Sequence, residues 1–168
     1  MKRLVISTIA SIALAALLTS EAAAAGATID TFPVSFTVTA AQCHYLPAGT
    51  TLNGSGTEKS ITTTRVDRNG VVTIENSSHA TGTATDQDGN TYVFNYSNEF
   101  RATLEGDVLS GLMTDSFALS GRGPARLNNG FVGHFVSDFA TFFTVPDVIN
   151  SHGDPLNFVT GEAHCDPL

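Results

Sequence analysis

Asn98 and Asp115 are the side chains most open to a chemical reading, because the pattern around them sets an amide beside a carboxylate among aromatics. Taking Gly106-Asp107 as a two-residue loop makes Glu105 face Val108. Leu104 then opposes Leu109, Phe100 opposes Met113, Tyr96 opposes Phe117 and Phe94 opposes Leu119. A slip of one residue destroys all four matches, so the apolar pattern specifies this register. The same register sets Asn98 opposite Asp115 on the apolar face, with Tyr92 on that face too. Polar groups in such a place are costly unless hydrogen-bonded. As a binding site, Asn98, Asp115, Tyr96, Phe100, Met113 and Phe117 form a polar anchor among apolar walls. As plain structure, the pair is a cross-strand hydrogen bond or a polar opening at a barrel mouth, and the aromatics are core.

The other candidate groups reduce to structural roles. Cys43-His44 and His164-Cys165 mirror each other and suggest zinc. Adjacent strand residues point to opposite faces, and zinc ligands within a segment are usually spaced two to four residues apart. A Cys43–Cys165 disulfide is the expectation instead. Asp86-Gln87-Asp88-Gly89-Asn90 lacks the alternating ligands and distal Glu of a calcium loop, and hairpin chemistry accounts for it. His152-Gly153-Asp154-Pro155 reads as a polar surface turn, although His152 and Asp154 could act as an acid–base pair. No G-x-S-x-G elbow nominates a serine nucleophile. Gly54-Ser55-Gly56 and Gly121-Arg122-Gly123-Pro124 read as loop glycines, and neither completes a phosphate-binding motif. Neither a metal nor a cofactor is expected.

These residues follow a segment that reads as an export signal. Met1-Lys2-Arg3 is basic, Leu4 to Leu18 is almost wholly apolar, and Ala22 to Ala25 supplies a cleavage site. Residues 1–25 are thus the expected signal peptide, and residues 26–168 a single secreted domain, extracellular or periplasmic, with no membrane anchor after cleavage. The formal net charge is −8, and losing Lys2, Arg3 and Glu21 makes it one unit more negative. Such a surface repels phosphate backbones, so nucleic acid is not an expected partner.

All-β structure must position the pair. Residues 31–41 and 91–104 alternate with period two, and turn dipeptides recur at Asn69-Gly70, Asp88-Gly89, Gly106-Asp107 and Asn129-Gly130. A turn through residues 86–89 with Gly89 at positive φ sets Ala84, Gly82 and Ala80 opposite Tyr92, Phe94 and Tyr96, and leaves His79 outside. Gly82, Gly111 and Gly133 are places where long strands can bend. Residues 131–144 carry apolar groups on both faces, as a doubly covered strand does. Six strands (about 31–41, 58–67, 71–85, 91–105, 108–121, 131–144), with a seventh near 157–164, predict an antiparallel meander closing into a small up-and-down barrel. A β-sandwich is the alternative. Residues 45–57 and 145–157 are expected loops.

His152-Gly153-Asp154-Pro155, Cys165-Asp166-Pro167-Leu168 and Asp88-Gly89-Asn90-Thr91-Tyr92 before an alternating strand are similar to features of a group of short exported bacterial proteins. The likeness spans most of residues 26–168 and brings no catalytic residues. At the level of fold alone, the meander resembles calycin and allene-oxide-cyclase-like barrels, which carries little about function. Three functions fit the sequence. The first is a non-enzymatic barrel holding a small apolar or amphipathic ligand. The second is a solid surface or matrix interaction module using Thr-rich outer faces or loops. The third is an isomerase- or hydrolase-type enzyme using Asp115, His134 or His152.

Overall fold

Long runs of alternating apolar and Thr/Ser-rich residues have one way to hide the apolar half: as strands that bury a single face. The structure, a computed structural model, describes residues 26–140 and 148–153. Its strands are β1 (Ala27–Thr39), β2 (Thr51–Val66), β3 (Val72–Asp86), β4 (Thr91–Glu105), β5 (Val108–Gly121), β6 (Leu127–Asp138) and β7 (Val148–Gly153). Each pairs antiparallel with its neighbour in sequence, giving one seven-stranded meander sheet. The β4–β5 and β3–β4 registers are those the sequence predicts, including Asn98 opposite Asp115 and Ala84 opposite Tyr92. Gly89 takes φ 82° in the β3–β4 turn.

Among the described residues no ladder joins β1 to β7, so their hydrogen bonds do not close the sheet as a barrel requires. The sheet nevertheless curls back on itself. In a flat sheet, four strand spacings would hold β1 about 19 Å from β5. Yet the Phe36 ring on β1 lies 5.7 Å from the Phe117 ring on β5 and 5.1 Å from Phe94 on β4, both edge-to-face. Inside this roll a large cluster gathers Phe36, Val38, Leu52, Tyr92, Phe94, Phe117, Leu119 and Leu127. The β1–β2 connection folds over that end and buries Cys43 and Leu46 in the same cluster. A smaller cluster of Ala102, Leu109 and Phe135 fills the other end.

Several sequence expectations change. Residues 51–57 are strand rather than loop, because Gly54 and Gly56 serve packing. The Phe36 ring occupies the space of a Cβ on Gly54, and Gly56 faces Gly82 where the backbones come close. Asn129-Gly130 makes no turn: the alternation from Leu127 through Phe131 continues across it as strand β6. β6 ends at Asp138, and residues 141–144 lie outside the described residues. His152 and Gly153 belong to β7 rather than a loop, since they pair with Val132 and Phe131. The expected strand at 157–164, Asp154, Cys165 and the expected signal at 1–25 lie outside the described residues.

Candidate functional site

Directly opposed residues in neighbouring strands share a face, so one rung can be followed across the sheet. The rung through Asn98 and Asp115 runs Asp30, Ser60, Ser78, Asn98, Asp115, Phe131. Five of these six members, from β1 to β6, are polar and lie on the face that carries the core; Gly153 on β7 ends the rung. The rung on the Cys43 side adds Glu58, Tyr96 and Asn129. The rung on the other side adds Thr62 and Asn76 and then turns apolar at Phe100 and Met113. A polar belt thus crosses the inner face between the two apolar clusters.

Hydrogen bonds organise the belt into two groups. Asp115 Oδ1 accepts from the Tyr96 hydroxyl at 2.7 Å and from Asn98 Nδ2 at 2.9 Å. Nearer β1, Asn76 Nδ2 donates to Ser60 Oγ and Thr62 Oγ1, each at 2.8 Å. The Ser78 hydroxyl lies 3.0 Å from Ser60 Oγ and 3.2 Å from Asn76 Oδ1, and it also bonds the Glu58 carboxyl. One hydroxyl carries one proton, so these contacts exchange donor and acceptor roles. Asn129 is only 7% exposed, and its Nδ2 has no hydrogen-bond partner among the described residues.

Burial works against the charged form of two acids in the belt. Burial pushes the Asp115 carboxyl above the ordinary carboxylate range, against the opposing pull of Tyr96 and Asn98. Burial does the same to Glu58, against the Ser78 hydrogen bond. The Tyr96 phenol is driven well above its usual value, first by burial and then by the charge of Asp115. Asp86 behaves in the opposite way at the Cys43 end. Burial acts to raise it, but bonds from Asn90, Tyr92 and the backbone of Asn90 and Asp88 outweigh that and hold it low. Those bonds occupy the Asp86 carboxylate in building its own turn and anchoring Tyr92.

Of the sequence-predicted residues, Asn98, Asp115 and Tyr96 come together in the belt. Phe100 stacks on Phe135 at 5.4 Å and, with Met113, flanks the belt on the smaller-cluster side. Phe117 is enclosed between Phe36 and Phe94 in the large cluster. His134 and His152 sit on the other face of the sheet, level with the exposed Leu112 and Val132, and do not converge with Asp115. That outer face carries two open grooves. One, about 540 Å³, lies over Gly111 between Arg101, Leu112 and His134; the other, about 420 Å³, lies between Ile61, Glu75 and Thr114. Sequence reasoning missed Asp30, Glu58, Ser60, Asn76, Ser78 and Asn129. Extending the Asn98–Asp115 rung and the inner rungs on either side of it through every hairpin would have found all of them but Asn129, which the Asn129-Gly130 turn signal hid. Compared with protein-family models, curated proteins and solved structures, the chain matches none.

Proposed function

We propose that this is an exported, non-enzymatic binding protein that holds a small amphipathic ligand on the inner face of its rolled sheet. The polar part of the ligand lies on the belt at Asp115, and its apolar part lies against Phe100 and Met113. One observation carries this reading: a polar belt crosses an otherwise apolar inner face and leaves a buried amide, Asn129 Nδ2, without a partner. Natural interiors rarely leave such a group unsatisfied without a reason. A few polar groups converging among apolar walls are what small-molecule sites present. The placement of His134 and His152 away from Asp115 favours binding over proton-transfer chemistry.

Native mass spectrometry on the protein purified from its own host, without reductant, tests this. A retained small molecule that is lost in a folded Asp115→Leu variant is the expected result. A bare protein mass would count against it and favour the second reading, a surface interaction module. Ile61 and Leu112, 36% and 52% exposed where they line the outer grooves, are what favours that reading. The same spectrum checks the expected cleavage after Ala25 and the Cys43–Cys165 disulfide, which belong to the proposal.

A further inference from the structure

Resting on the inner-face reading above, we infer that the ligand's polar end is uncharged and both donates and accepts hydrogen bonds, as an alcohol does: it donates to Asp115 Oδ2 and accepts from Asn129 Nδ2. Hydrogen-bond partners and strand register carry the two halves. Asp115 receives its two hydrogen bonds on Oδ1, and Oδ2 has no partner among the described residues. Asp115 opposes Phe131, and Phe117 opposes Asn129, so Asp115 and Asn129 are diagonal neighbours on one face. Diagonal positions lie about 7 Å apart, a span that one polar group between the side-chain tips can bridge. An amide nitrogen only donates, so the group it meets must accept. Oδ2, as a carboxylate oxygen, only accepts, so the same group must also donate.

Charge then excludes the alternatives. Glu58 on β2 is close enough for its charge to act on the Tyr96 phenol, which bonds Asp115, so two acids border the place. A ligand carboxylate there would meet two like charges and could not donate. A ligand ammonium would suit Asp115 but could not satisfy Asn129, having no acceptor. A hydroxyl meets both demands with one atom.

Three probes with the same apolar tail separate these cases: 1-octanol, octanoate and octylamine, titrated into the mature oxidised protein at pH 7.5. Met113 is the only methionine after Met1, so its methyl NMR signal reports inner-face binding without ambiguity. We expect 1-octanol to shift that signal and to bind at least about tenfold more tightly than either charged probe, the worth of one well-made buried hydrogen bond to a charged or orphaned group. Asn129→Leu, which keeps the side-chain volume, should weaken 1-octanol about tenfold and leave octylamine unchanged. If octanoate or octylamine equals or exceeds 1-octanol, the neutral-group inference fails while inner-face binding stands. Should Asn129→Leu leave 1-octanol unaffected, the role given to Asn129 is wrong. If no probe moves the Met113 signal, the inner-face reading itself falls, and this inference with it.

Discussion

At the scale of the residue, Asp115 is held by two donors on one oxygen while burial opposes its charge, and burial wins. Its folded-state pKa therefore lies above the unfolded value, as does that of Glu58. A group raised in this way contributes stability below its unfolded pKa, near 4, and loses that contribution as pH rises through the folded value. Asp86 is lowered, so its contribution is present above about pH 4 and is lost as pH falls through its folded value. The stability maximum should thus sit on the mildly acidic side of neutrality. Asp115→Asn keeps an acceptor for Tyr96 and Asn98 but removes the charge. It should stabilise the protein at pH 7 by on the order of 1 kcal/mol and gain progressively less as pH falls toward 4. Urea denaturation of both proteins at several pH values checks this; a constant difference across the range would contradict it. The Asn98–Asp115 pair was legible because one tight turn fixes its hairpin. Asn129 was not, because Asn-Gly is the strongest short hairpin signal, and here it sits inside a strand whose alternation overrides it.

At the scale of the element, small residues decide where large ones go. The Phe36 ring lies on Gly54, and the ring of Phe94 leans over Gly82. A methyl group on Gly54 has to displace Phe36, which is wedged edge-on against both Phe94 and Phe117. Gly54→Ala should therefore cost about 1–3 kcal/mol, the usual range for overpacking. Gly130 is the matched control: its added Cβ meets nothing within 4 Å and its φ is not positive. Gly130→Ala should stay within about 0.5 kcal/mol of the parent. Thermal melts of the two variants decide; equal losses would mean that strand propensity, not packing against Phe36, governs these sites. Small against large made the β3–β4 register readable in advance, through Ala84 against Tyr92, while matched large pairs such as Phe100 and Met113 did so for β4–β5. Small residues also hid the first half of β2. A Gly-Ser-Gly run looks like a loop until one knows that the Phe36 ring of β1 covers Gly54 and that Gly56 meets the backbone of Thr81 and Gly82 on β3.

At the scale of the whole molecule, the roll is held by side chains rather than by a closing ladder. Phe36 joins β1 to β4 and β5, while Cys43 and Leu46 seal the end above it. Among the described residues β1 and β7 are the edges of the sheet. A strand paired on one side only should be the easiest to release, since opening it breaks a single ladder. The proposed Cys43–Cys165 disulfide would act where this design is weakest. It would tie the buried connection that follows β1 to the C-terminal region and limit how far an opened β1 could stray. A cross-link over so long a loop is worth up to about 4–5 kcal/mol in the chain-entropy model. Reduction should then lower the unfolding free energy by an amount approaching that figure. It should also speed amide exchange more in β1, at Val34 through Val38, than in β3 and β4, which have a ladder on each side. Hydrogen exchange with and without reductant, on the protein and on Cys165→Ser, reads both effects. Reductant should leave Cys165→Ser unchanged. Uniform acceleration of all strands on reduction would mean that the bridge stabilises only the global fold, and that packing around Phe36 alone holds β1 in place.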